Sequence, residues 1–442
     1  MSIPGPGART PGRSGVLAWA LWDCGVTGLS AIVVTFVFSV YLTDTVATGM
    51  PGGSSPASWL GRALAVAGLT IAALSPLIGV WVDRPRRRRT ALTVLTGLAV
   101  VLTSAMSLIR GRPGYLWAGL ALLAATAACA DLAGVPYNAL LRQLSTPQTA
   151  GRISGLGSAS GYVGSVLLLV VVYAGFMSGA GPTRGLLHLP TGDGVNVRAA
   201  MLLAAGWFAV LAVPLVLTAH RFPGSGAPAD SAADVLGGYR KLWADLTAEW
   251  RRDRNLVYFL VASAVFRDGL VGVFTFGAVL GVNGYGISRG GVLLFGAAAS
   301  VVAAAGAVLG GLVDDRVGSK PVIVGSLSAI IATGLTLMTL TGPQAFWMCG
   351  LLLCVFIGPA QSSSRTLLLR MSRHGKEGVA FGLYTMTGRA VSFVAPWLFS
   401  VFVDVFGTVR AGMGGLCLVL GAGLAAMLLV HAPRREATVH VA

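Results

Sequence analysis

Apolar residues in this chain come in long runs, and polar residues are confined to short breaks between them. A helix needs about twenty apolar residues to cross the hydrocarbon of a bilayer. Runs of that kind recur twelve times: 16–44, 59–82, 90–110, 115–141, 152–177, 198–219, 255–281, 289–313, 321–341, 344–367, 377–403 and 409–431. Each begins or ends near Pro, Gly, Asp or Arg. A backbone with no water around it must satisfy its own hydrogen bonds, so spans of this length are predicted helical. The alternating ten-residue segments of a membrane barrel are not seen. The first run is longer than the apolar region of a signal peptide and lacks a small-residue cleavage site, so it is expected to be retained. The pattern predicts an all-α polytopic membrane protein with twelve transmembrane helices.

The longest connection, 220–254, follows the sixth run. It opens rich in Gly, Pro and Ala. Leu236, Tyr239, Leu242, Trp243, Leu246 and Trp250 then recur at helical spacing with charges between them. That spacing fits an amphipathic helix on the membrane surface, and equally a solvated linker helix. The expected organisation is a tail (1–15), a six-helix bundle (16–219), the linker (220–254), a second six-helix bundle (255–431) and a tail (432–442).

Composition adds weight. Only 11% of the 442 residues are charged and 55% are hydrophobic, with a mean hydropathy of +0.77. A soluble domain would carry roughly 25% charged residues. The net charge of +16 invites a nucleic-acid reading, but the positive residues sit in short connections. Of the 32 Lys and Arg, 23 fall on the side of the termini and the even-numbered connections, and 7 on the other. This bias points both termini into the cytoplasm. The five cysteines lie within apolar runs, without a Cys/His cluster, so neither a disulfide framework nor a metal is implied. No Walker A or HExxH motif occurs. An ATP-driven pump and a membrane-embedded enzyme are therefore disfavoured, and no cofactor is implied.

The two halves repeat one another. Gly79-Val-Trp-Val-Asp83-Arg84, followed by Arg86, Arg87 and Arg88, matches Gly311-Leu-Val-Asp-Asp315-Arg316, followed by Gly318 and Lys320, 232 positions on. Pro136, Asn138 and Arg142 match Pro359, Gln361 and Arg365 at an offset of 223. Gly155-Leu156 and Gly161 match Gly382-Leu383 and Gly388 at 227, and Trp22-Asp23 matches Arg267-Asp268 at 245. Four matches in chain order argue for duplication.

The G-x-x-x-D-R-x-G-x-K loop after the second and eighth spans resembles the signature of the major facilitator superfamily. The resemblance implies twelve helices in two pseudo-symmetric six-helix bundles. It also implies a conformational latch anchored on Asp83 and Asp315, formed with Gly79 and Gly311 and with Arg84, Arg87, Arg88, Arg316 and Lys320 as donors. The first copy departs from the pattern, with Arg86 where the family prefers Gly. The stretches AWALWDCGVTGLSAIVVTFVFSVYLTD, PYNALLRQLSTPQTAGRISGLGSASGYVGS, VFRDGLVGVFTFGAVLG and AFGLYTMTGRAVSFVAP narrow the branch. They are similar to the family of the autophagy-related vacuolar amino-acid effluxer and its bacterial relatives, which implies an amino acid or related metabolite as cargo.

Charges inside the spans single out a site. An ionised Asp or Arg at a helix centre costs about 2.5–3.5 kcal/mol on insertion scales. Asp23, Asp131, Arg267, Asp268 and Arg389 would together cost on the order of 12–17 kcal/mol if each faced lipid unpaired. They must pair, face a cavity or be neutralised. Asp23 and Asp268 are candidates for proton exchange, or else members of structural pairs such as Asp23 with Arg389 and Asp268 with Arg267. Arg389 offers a planar fork to a carboxylate or phosphate, and Tyr162 is its counterpart in the other half. Asp131 and Asn138 share a helix face around Pro136. Asn138 and Gln361 are cavity-lining candidates or interhelical glue. Arg142 and Arg365 read as boundary residues on the basic side. Gly157-x-x-x-Gly161 and Gly306-x-x-x-Gly310 allow close helix approach, either as rocking contacts between bundles or as plain packing.

The expected function is secondary transport of a small polar or charged solute by a monomer in the cytoplasmic membrane, coupled to protons. Multidrug or natural-product efflux and a non-transporting sensor or scaffold are the alternatives.

Overall fold

The computed structural model describes residues 13–48, 56–179, 181–218 and 254–431. Twelve helices among the described residues are long and apolar enough to cross a membrane. Spans 1–6 are Arg13–Val46, Ser58–Val82, Arg86–Leu108, Pro113–Ala139, Ala150–Met177 and Gly192–Thr218. Spans 7–12 are Asn255–Gly284, Leu294–Val317, Ser319–Thr339, Pro343–Met371, Glu377–Phe406 and Val409–Leu429. Each overlaps the run predicted for it. The amphipathic segment expected over 220–254 lies, but for Arg254, outside the described residues. Leu69, Val210, Leu335 and Met348 are exposed on their helices, a surface that hydrocarbon can cover and water would not.

Span 11 is two helices rather than one, Glu377–Ala390 and Val394–Phe406. Pro396 has no N–H to give the carbonyl of Ser392, and its ring crowds that oxygen. Proline is insufficient alone, because Pro76, Pro136, Pro214 and Pro359 sit inside unbroken helices. At this break the Ala395 N–H donates to the Asp268 carboxylate of span 7 at 2.7 Å. A side chain from a neighbouring helix thus caps the second segment, as an N-cap residue would.

The halves meet along two seams, both on the basic side, and the seams use the duplicated glycines. Span 2 packs on span 11, and span 8 packs on span 5. A β-carbon at Gly311 would lie 2.5 Å from the Gly151 carbonyl oxygen, and one at Gly382 would lie 2.5 Å from that of Ser75. Only glycine permits backbones this close. Gly157 and Gly161 instead pack on Trp19 and Thr27, and Gly306 and Gly310 on Val355 and Pro359. Those pairs hold helices within a half and are not the rocking contacts that their spacing allowed.

A carboxylate clamps each seam. Asp83, just past span 2, accepts the Gly378 N–H at the start of span 11 (2.7 Å). Asp315 accepts the Gly151 and Arg152 N–H groups at the start of span 5 (2.8 and 3.1 Å). The bonds and the helix dipole favour the charged form of each carboxylate, and at Asp83 burial opposes it. Arg142 reaches Glu377 at 2.7 Å, with Arg88 3.6 Å from the same carboxylate, and Arg370 reaches Asp314 at 2.5 Å. Lys320 takes no part in the clamp. Its ammonium donates to the Leu428 and Val430 carbonyls at the end of span 12. Among the described residues the Arg84 side chain joins no ion pair.

Valine at Gly382 should wedge its seam. Spin labels at Gln148 and His374, exposed on opposite halves of the basic face, should report longer distances in Gly382→Val than in the parent. An unchanged distribution would reduce this contact to ordinary packing. Asp83 adds a pH dependence. Burial pushes its carboxyl up to about 7, although the Gly378 amide, Lys376 and Arg88 pull it down; Glu377 adds to the rise. Once released into water the group returns toward about 3.9, so the clamped form binds the proton more tightly. Its Asp83 contribution is complete below about pH 4 and is lost as pH rises through about 7. The same labels should show opening increase over that range, and Asp83→Asn should flatten the response.

Candidate functional site

Depth decides which side chains can serve a solute in the membrane. At 1.5 Å per residue, Arg365 lies about 9 Å from the basic end of span 10, and Asp131 about 12 Å from that of span 4. By the same measure Asp23 is about 15 Å into span 1, Arg267 and Arg389 about 18 Å into spans 7 and 11, and Asp268 about 20 Å into span 7. All six fall within a hydrocarbon layer about 30 Å thick.

Three groupings result. The first surrounds Asp23. Its carboxylate lies 3.7 Å from the Arg365 guanidinium, both side chains about 15% exposed or less, with the Tyr137 and Thr27 side chains beside it. Tyr137 is stacked between Trp19 and Trp22, with ring centroids 4.5 and 4.3 Å away. The two indoles are themselves anchored, Trp19 to the Tyr137 carbonyl and Trp22 to Thr96. Arg365 spends its other donors on the Ser154 carbonyl (3.2 Å), Asn138 (3.4 Å) and the Ser158 hydroxyl. One turn earlier, the Tyr162 hydroxyl donates to Gln361 at 3.3 Å, and its ring lies 6.0 Å from that of Phe274. Asp23, Asn138 and Tyr162 come from the first half; Arg365, Gln361 and Phe274 come from the second.

The second grouping is one ion pair, Asp131 with Arg389, again joining the first half to the second. Its side chains are 31% and 41% exposed. Charges at this depth are costly against lipid at that exposure, which favours a water-accessible gap between the halves on their open side.

The third grouping brackets the break in span 11. Arg267 donates to the Tyr384 carbonyl at 3.1 Å and lies 3.7 Å over the Tyr384 ring, while Asp268 caps Ala395 on the far side of the break. The adjacent pair Arg267–Asp268 does not close on itself, because successive helical residues diverge by about 100°. Both instead grip span 11.

Partner choice therefore differs from the pairs open in sequence: Asp23 is joined to Arg365, not Arg389. Arg365 is not a boundary residue, since span 10 continues six residues beyond it, to Met371. Its alignment with Arg142, which does lie outside the spans, concealed it. The usable signal was electrostatic, as Asp23 needs a cation and Arg365 falls within the predicted run 344–367. Tyr137, Ser158 and Glu377 carried no sequence signal, since each depends on which helices become neighbours.

Comparison with known proteins agrees with this architecture. The family described as Vacuole effluxer Atg22 like matches residues 55–440. The uncharacterized MFS-type transporter YxiO of Bacillus subtilis (strain 168) is 22% identical over 426 residues, 95% of each chain. Autophagy-related protein 22 of Yarrowia lipolytica (strain CLIB 122 / E 150) is 22% identical over 322 residues. That match spans 65% of this chain and 52% of the relative. Among solved structures, the proton:xylose symporter XylE bound to 6-bromo-6-deoxy-D-glucose superposes with a TM-score of 0.69 at 16% identity, over 95% of both chains. The chain belongs to the Vacuole effluxer Atg22 like family, and is a multi-pass membrane protein with the fold of the major facilitator secondary transporters.

Proposed function

We propose that this protein moves a small polar or charged solute across the cytoplasmic membrane by alternating access, coupled to proton movement through Asp23. The observation that carries the reading is the Asp23–Arg365 pair, a nearly buried ion pair between the two halves at mid-membrane. The bias of Lys and Arg supports placing the basic face and both termini in the cytoplasm. On that orientation the seams clamp the cytoplasmic side, and the gap at Asp131 and Arg389 opens outward.

Opening the cytoplasmic side requires the halves to part, and parting separates Asp23 from Arg365. Stranding one member of a buried pair costs about 3–5 kcal/mol. A proton on Asp23 removes the carboxylate charge. Arg365 keeps its bonds to Ser154, Ser158 and Asn138 only while the halves remain together, so it too needs water or solute once they separate. Neutralising Asp23 is thus a condition for the transition, and it ties a proton to each cycle. Tyr162, Gln361 and Asn138 supply hydrogen bonds on the same level for the polar parts of the solute. An amino acid or related metabolite fits these groups, and is the cargo that the sequence resemblance implies.

The test is transport by purified protein in liposomes, screening amino acids, sugars and organic acids by counterflow and then imposing a pH gradient. Asp23→Asn should lose gradient-driven accumulation, on the order of tenfold or more, while retaining counterflow and normal membrane insertion. Accumulation at the parental rate in Asp23→Asn would remove the proton role. Absence of flux for every solute in the parent protein would favour a non-transporting scaffold.

A further inference from the structure

Three of the site residues placed above are arginines, Arg267, Arg365 and Arg389, and their donors are unequally occupied. Arg365 is bonded on several sides, to Asp23, Asn138, Ser154 and Ser158. Arg267 is bonded to the Tyr384 carbonyl and covered by the Tyr384 ring. Arg389 is different: among the described residues its guanidinium meets one partner, Asp131, through one terminal nitrogen. It is also the most exposed member of the site, at 41%. A guanidinium carries five N–H donors in a planar fork, so a second edge of Arg389 faces the water-accessible gap. The gap is closed on the basic side by the two seams, which leaves this edge to be reached from the opposite side.

We infer that Arg389 is the receptor for a carboxylate group of the cargo, and that Asp131 is the internal carboxylate which the cargo displaces. This rests on the transporter reading and names its substrate class: a small molecule bearing a free carboxylate. A carboxylate matches the fork with two parallel hydrogen bonds, which neither an amide nor a hydroxyl reproduces. Asp131 holds the site while it is empty, so that Arg389 is never left bare. The same exchange loosens the halves, because Asp131 belongs to span 4 and Arg389 to span 11. Arg389 also lies in the last turn before the break in span 11, where its carbonyl accepts the Ser392 hydroxyl at 2.9 Å. Cargo on Arg389 therefore loads the one helix whose second segment is held separately, by Asp268.

The experiment is binding to the purified full-length protein in detergent, read by thermal shift and calorimetry, which needs no gradient and no flux. The probes are matched pairs: lactate and lactamide, alanine and alaninamide, leucine and leucinamide, benzoate and benzamide. At least one carboxylate should bind while its amide does not. Asp131→Asn, which removes the competitor, should tighten that binding about fivefold, the scale on which a half-exposed ion pair competes. Arg389→Gln should weaken it at least tenfold. Arg389→Lys, which keeps the charge and loses the fork, should fall between, and it serves where the Gln variant is not monodisperse. Equal binding of acid and amide, no carboxylate bound by parent or Asp131→Asn protein, or unchanged affinity in Asp131→Asn would each overturn the proposal. Carboxylate binding that survives alongside a failed Asp23 test would sink the proton role and leave Arg389 standing. The reverse pattern would do the opposite.

Discussion

A charge in the hydrocarbon layer persists only if another group cancels it, and the partners chosen here organise the molecule. Asp23 and Asp131 both look across to the other half for an arginine, and Asp268 finds a backbone N–H that a broken helix leaves free. None of these partners is local in sequence. Each charge therefore acts as a tether between helices that hydrophobic burial alone would not select, since lipid tails are as apolar as a leucine surface. Packing brings helices near one another; the charges decide which helices face each other across the gap.

The seams on the basic side answer a different requirement. The alternating access proposed above asks them to be tight and yet separable, and a hydrophobic seam between two halves offers no switch. Glycine pairs solve the first demand by letting backbones touch. The second is met by placing the strongest bonds at the edge, where Asp83 and Asp315 hold helix N-termini that water can hold instead. Because the two carboxylates come from duplicated loops, the clamp is built twice with one chemistry. The charged neighbours differ between the copies: Glu377, held by Arg88 and Arg142, flanks one, while Arg370 and Arg152 flank the other.

Much of the architecture was legible in hydropathy, because a twenty-residue apolar run has few alternatives. The duplicated loops were equally legible, and they carry the two carboxylates, Asp83 and Asp315, that meet helix N-termini across the seams. What escaped was pairing across the halves. Arg365 looked like a boundary residue because its counterpart Arg142 is one, and a repeat transfers position more faithfully than environment. The break in span 11 escaped for a related reason. Pro396 resembles four other prolines that leave their helices intact, and only Asp268, over a hundred residues earlier, makes the break stable. Lys320 fits the loop signature, yet it spends its charge on the end of span 12. A motif fixes residue type at a position, whereas the long flexible stem of a lysine is free to find the nearest unsatisfied carbonyls.

Given the roles proposed for Arg389 and Asp23, the difference in exposure between the two cross-half pairs implies an order of events. Asp131 and Arg389 are wet, and exchanging one carboxylate for another there costs on the order of 1 kcal/mol or less. Asp23 and Arg365 are nearly dry, and separating them without a proton costs several times more. The wet pair can therefore sample cargo repeatedly while the dry pair still holds the halves together. Only when Asp23 is neutral does release of the wet pair have a consequence for the seams below. Cargo binding alone is then insufficient to open the basic side, and so is a proton alone. That double condition follows from two ion pairs of the same chemistry placed at different depths of water.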